Sequence, residues 1–226
     1  MKILAIECTH QVACVAVKNG SEVVERISTE WQKTAETIVP LVIETMTAAG
    51  VGASELDGVA VSSGPGSFTA LRIGMSAAKG IAFGAGRPLV TVPTMPAIAA
   101  SALARTGSPH IVTVIPSRPG EYFYSIYRRE GGDGMPTELE SARCQGSELA
   151  GHLEKLAGNF IVVGRSVADL IAQDSALASC CVEASFFTAS SLLDYAEKAL
   201  SKGVGAVLAD VGPDYRQQFV SGQQKQ

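Results

Sequence analysis

Residues 58–85 carry the feature that most restricts this chain: an apolar run, Gly58–Ser62 (GVAVS), a turn, Gly64-Pro65-Gly66-Ser67, and a proline-free stretch from Phe68 to Ala85. A short apolar run bounded by turn residues reads as a buried strand, and the stretch after the turn is long enough for about five turns of helix. Gly86, Arg87 and Pro88 stop that helix, and Pro88–Val92 is the next strand. Thr94 then stands where a cap would open a further helix to about Ala104. Alternating strands and helices of this kind commit the segment to an α/β layered fold.

Upstream, Ile3–Ile6 and Val12–Val17 are two further strands, and Asn19-Gly20 is a hairpin signal leading into a third strand at Ser21–Ile27. A helix follows over Thr34–Ala49, with Pro40 inside it to kink it or mark its first turn. At helical spacing its apolar residues span about 200°, against the slightly over 100° that a surface helix needs. The excess predicts a helix covered on two sides, by its own sheet and by something else. The helix after the Gly turn is crowded with small residues: Gly74, Ala77, Ala78, Gly80, Ala82, Gly84 and Ala85. Small side chains permit close packing, on another helix or on the helix's own sheet. The order β-β-β-α-β-α-β describes one half-domain with a mixed sheet.

Arg105–Pro109 reads as a link, after which the order of elements repeats more loosely. Strands are predicted at His110–Ile115, Tyr122–Arg128 and Pro136–Arg143, with a turn at Gly131–Gly134. Ser147 caps a helix to about Ala157, Phe160–Val163 is a strand, and Ala189–Ser201 a helix, before a polar tail, Gln217–Gln226.

With 18 basic and 22 acidic residues the net charge is −4, which argues against a protein that grips nucleic acid alone. The longest uncharged apolar stretch, Pro88–Ala104, has 17 residues and three prolines, short of a membrane span. Glu7 interrupts the N-terminus before a signal-peptide core forms, and the five cysteines show no CxxC spacing. A reduced cytoplasmic protein is the expectation.

Two features invite chemistry. Gly64, Pro65, Gly66 and Ser67 lie between strand and helix, where unpaired N–H groups attract anions, so the turn is a candidate nucleotide or anion loop; the alternative is a tight connection that needs glycine. Glu7 closes the first strand, where a carboxylate could bind Mg²⁺ or act as a base, or end the strand in a hydrogen bond. The three histidines, His10, His110 and His152, form no HxxxH or HExxH, and GxSxG is absent. No metal site and no catalytic residue is assigned.

ILAIECT at 3–9, the run at 59–95 with GPGSFTALRIG (64–74) and Lys79-Gly80, and to a lesser extent Ser117, Arg118, Glu121, Tyr122, Pro213, Tyr215 and Arg216, resemble the TsaB (YeaZ) family of tRNA threonylcarbamoyladenosine biosynthesis. The resemblance implies an actin-like ATPase (ribonuclease H-like) fold of two related β-β-β-α-β-α halves, 1–105 and 106–226. It implies a non-catalytic subunit that binds the paralogue TsaD, with TsaE in a larger complex, a homodimer when TsaD is absent, and tRNA contacted only through the complex. No cofactor is held tightly; ATP or ADP with Mg²⁺ would bind weakly. The first two helices become the partner interface, carried by Ile38, Leu41, Val42, Thr45 and Met46 and by Arg72, Met75, Ser76 and Lys79. Where the family reads Asp-Thr-Ser, this chain has Glu7, Cys8 and Thr9, and the family's His at the start of the first helix is absent at Thr34 and Ala35. The alternative is a small actin-fold ATPase or kinase acting alone, with Glu7 near the metal. A metallopeptidase lacks a ligand set.

Overall fold

In the computed structural model, residues 1–10, 12–129 and 136–216 are described. The turn expected at Gly131–Gly134 and the tail Gln217–Gln226 lie outside them. Strands β1 (Lys2–Glu7), β2 (Ala13–Asn19) and β3 (Glu22–Ser28) form an antiparallel meander. Then come α1 (Thr34–Ala49), β4 (Gly58–Gly64), α2 (Phe68–Ala85), β5 (Leu89–Pro93) and α3 (Thr94–Leu103). β4 pairs parallel with β1, and β5 with β4, so the sheet runs β3-β2-β1-β4-β5.

The second half repeats that plan. β6 (His110–Arg118), β7 (Glu121–Arg128) and β8 (Thr137–Gln145) form the meander, followed by α4 (Leu149–Leu153), β9 (Phe160–Gly164), α5 (Val167–Gln173), β10 (Cys181–Glu183) and α6 (Leu193–Ser201). Its order, β10-β9-β6-β7-β8, matches the first sheet strand for strand, with β9 and β10 parallel to β6. α5 and β10 escape the sequence patterns, since seven and three residues are too short to show a period.

Alternation along the strands decides the layers. On β1, Leu4 and Ile6 join the cluster under α1 and α2, whereas Ile3 and Ala5 join the one that holds α3 and α6. On β6, Ile111 and Ile115 face that same central cluster, and Val112 and Val114 pack with α4 and α5. The order is therefore helices, sheet, helices, sheet, helices. Both faces of the inner strands are covered, which is why β1, β4, β6 and β9 read as continuous apolar runs, while the edge strands β3 and β8 stay largely exposed.

The central layer is exchanged between the halves. α3 follows β5 of the first sheet yet packs on β6 and β9, while α6 follows the second sheet and packs on β1, β4 and β5. Beyond α6 the chain stays with the first half: Ala206 bridges to Leu89, and Asp214 N–H donates to Ser63 O at 2.7 Å. The 105/106 division therefore separates the two sheets but not the two packing units.

Three local expectations shift. The β2–β3 turn is Gly20-Ser21, closed by the pair Asn19–Glu22, one residue later than the Asn-Gly signal. Thr94 is not a cap; its hydroxyl accepts from Gly64 N–H at 3.1 Å and ties β5 to the Gly turn. α1 runs unbroken through Pro40, which is exposed, so water can reach the carbonyl that lacks its helical partner.

α2 reaches the sheet closely because Gly74 has no side chain: a Cβ there would overlap Cys8 Sγ, which is buried and bonded to Ala70 O at 3.1 Å. Gly74→Ala is expected to destabilise the protein by about 1–3 kcal/mol through overpacking. Cys8→Ala should restore part of that loss, a coupling that urea melts of the two single and the double variant would read.

Candidate functional site

Glu7 and the Gly turn meet where β1 and β4 end. Glu7 is wholly buried. One carboxyl oxygen accepts from Thr9 N–H at 2.9 Å and from the Thr9 hydroxyl, and the other accepts from the Ser62 hydroxyl. The turn is equally engaged. Gly64 N–H donates to Thr94, Ser67 N–H donates to Thr9 O at 2.8 Å, and Pro65 has no N–H, which leaves at most the amide of Gly66. Its glycines serve the chain's own backbone. Gly64, at φ 110°, takes the carbonyl of Asp214 where a side chain would stand, and a Cβ on Gly66 would lie 2.6 Å from Thr9 O. The Glu7 carboxylate and the amides of Gly64 and Ser67 are thus spent within the chain, which leaves them little to offer a nucleotide phosphate with its Mg²⁺. Cys8 turns away into α2, where burial and the charge of Glu7 push its thiol up to about 12.

A C-terminal strap lies along α2, against its first turn. Tyr215 stacks on Phe68 at 4.9 Å, Arg72 lies 3.7 Å over the Phe68 ring and donates from Nε to the Tyr215 hydroxyl at 2.8 Å. Lys79 Nζ donates to Val211 O at 2.9 Å. Arg216 reaches on to the second sheet, bonding Ser141 and lying 3.7 Å from Glu138. Pro213, Tyr215 and Arg216 show up in the sequence only through family resemblance; nothing in their spacing announces the strap.

The outer face of α1 and α2 sorts the expected interface residues. Ile38, Leu41, Val42 and Thr45 on α1 and Met75 on α2 are buried against the first sheet, so they hold the helices to their own half and are not free to face a partner. Met46 is half-buried, Ser76 and Arg72 are exposed, and Arg72 and Lys79 hold the strap. The apolar surplus surfaces elsewhere, at Val39 (50% exposed) and Ile43 (60%), which with Met46 form one stripe along α1. On α2, Ala78 and Ala82 meet the sheet along with Gly74, whereas a Cβ at Gly80 or Gly84 would meet nothing within 4 Å. Small residues thus serve both the sheet and an open face. Ile73, Ala77 and Ile81 are half-buried beside that face, and Phe83 is 80% exposed.

At the junction of the halves, Arg165 is 7% exposed and donates to Phe187 O at 2.7 Å. Burial and the charge of Arg165 push the neighbouring His10 imidazole down to about 4. The other two histidines are apart from it, His110 on β6 against Asn159 O and His152 beside the Tyr124 ring. Among the described residues no group of three His, Cys, Asp or Glu could hold a metal, and no helix is long and apolar enough to cross a membrane.

Two like halves with this strand order and an exchanged central layer define an α/β protein of the actin-like, ribonuclease H-like class. Residues 29–156 match the family model for "TsaD: tRNA N6-adenosine threonylcarbamoyltransferase". "tRNA threonylcarbamoyladenosine biosynthesis protein TsaB" of Escherichia coli (strain K12) is 29% identical over 164 residues, 73% of this chain and 71% of that protein. Its namesake in Haemophilus influenzae is 28% identical over 130 residues, covering 58% and 55%. The solved structure "YeaZ from Pseudomonas aeruginosa" superposes with a TM-score of 0.77 at 22% identity, over 95% of this chain and 99% of that one. A second Pseudomonas aeruginosa structure, "an uncharacterized protein with similarity to peptidase YEAZ", reaches 0.82 at 22% identity, over 96% and 99%. At that identity the two structures speak for the fold alone. The chain belongs to the family that the TsaD model describes, and within it to the TsaB (YeaZ) proteins.

The depressed His10 makes stability depend on pH with a definite sign. The folded state resists a proton that an unfolded imidazole accepts near 6.5, so its contribution is present above about 6.5 and is lost as pH falls toward about 4. His10→Gln should lose less stability than the parent between pH 7.5 and pH 5 in urea melts, the carboxylates being common to both.

Proposed function

We propose that this protein is the non-catalytic subunit of a tRNA threonylcarbamoyladenosine modification system, binding and supporting TsaD, the relative that acts on N6 of the adenosine next to the anticodon. The carrying observation is the open apolar face of α1 and α2, Val39, Ile43 and Met46 beside the bare positions Gly80 and Gly84, in a chain of this family. Exposed apolar side chains set in one stripe mark a protein–protein surface, and glycines let a partner helix come close. In the absence of TsaD the same face would pair two copies of the chain. TsaE joins the larger assembly, and the net charge of −4 leaves most tRNA contacts to partners. The sealed Glu7 site and occupied Gly turn weigh against an ATPase acting alone and against a tightly held nucleotide.

Size-exclusion chromatography of the chain alone and mixed with TsaD tests this. A complex is expected, and Ile43→Glu should weaken it at least about tenfold by placing a charge in the contact, with its melting temperature unchanged. Neither complex nor self-association at micromolar concentration, or steady ATP turnover by the pure chain that Glu7→Gln abolishes, would overturn it.

A further inference from the structure

On the face of the first sheet opposite α1 and α2, a cavity of about 850 Å³ lies between α3 and α6. That volume falls within the roughly 300–1,000 Å³ of small-molecule sites. One wall is α3, whose Ala100, with Ala104 just past the helix end, leaves the space unfilled. The facing wall is α6, with Tyr195 and Lys198, then Lys202 just past its end, and the segment before α6 contributes Phe186. Arg105, just past the end of α3, lies 5.0 Å over the Phe186 ring, which holds its guanidinium at the edge of the cavity.

The charge is the telling part. Arg105, Lys198 and Lys202 line the cavity together with Asp194, in a chain that is acidic as a whole. A cation near a helix C-terminus is explained by the helix dipole. The dipole does not explain why cations at the ends of two different helices surround one space with aromatic walls and an alanine floor. Lysine and arginine together recognise phosphate, and a flat half-buried ring such as Tyr195 recognises another flat ring.

We propose that this cavity binds a small phosphorylated ligand with a planar ring, of the nucleoside monophosphate class. The ring lies on the alanine floor against Tyr195, and the phosphate is held among Arg105, Lys198 and Lys202. The site stands apart from the partner face and does not depend on the proposed complex.

Isothermal titration of the whole protein with AMP, adenosine and inorganic phosphate tests it. One AMP per chain is expected, with adenosine and phosphate each bound at least about tenfold more weakly. Lys202→Glu and Ala104→Trp, both at exposed positions, should each weaken AMP at least about tenfold with circular dichroism melts unchanged. Arg143→Glu, the same charge reversal on β8, should leave AMP binding as it was. The proposal is overturned if none of the three probes binds at millimolar concentration, if phosphate binds as tightly as AMP, or if both cavity variants bind AMP like the parent.

Discussion

The structure depends on an exchange of helices. The two sheets share one inner layer: α3 packs chiefly on the second sheet while keeping contact with β4 and β5 of its own, and α6 returns from the second to pack on the first. Apolar residues of both sheets and both helices then form one continuous cluster, from Ile3 and Val90 to Ile111 and Phe187. Burial of that layer is the dominant favourable term holding the halves together, and it scales with apolar area removed from water. Two halves joined in this way have no separate stability to fall back on, so the molecule should unfold as one unit.

The same tight joining explains the fate of the Gly turn. A strand–glycine–helix connection attracts anions when its N–H groups face open space. Here Thr9, Thr94 and Asp214 fill that space, and Glu7 spends its carboxyl group on Thr9 and Ser62. The glycines are needed, but for the approach of backbone to backbone. A glycine-rich turn can therefore serve the chain's own close packing as well as a ligand. What separates the two uses is whether residues distant in sequence, here around 214, arrive at the turn.

Much of the fold was legible because the long elements carry their own punctuation. α1 and α2 lie at the expected Thr34–Ala49 and Phe68–Ala85, each closed by a left-handed glycine, Gly50 and Gly86. In the second half α5 and β10 lacked any such signal, and the helix expected from Ser147 to about Ala157 is α-helical only over Leu149–Leu153. For α1 the width of the apolar arc was readable, and the exposed Val39 and Ile43 account for its excess. Its phase was not: within so wide an apolar arc, only packing on β2 and β3 decides that Ile38, Leu41, Val42 and Thr45 turn inward. Arg72 and Lys79 looked like interface cations, and the strap that occupies them is invisible to periodicity.

That strap gives α2 two tenants. Its exposed side offers Gly80, Gly84 and Phe83 to solvent, while Arg72 and Lys79 on the same helix moor the segment that crosses to Ser141. A protease clipping the chain beyond Gly203 would cut none of the sheets, yet it would release the moorings of α2 and loosen the platform on which a docking protein must settle.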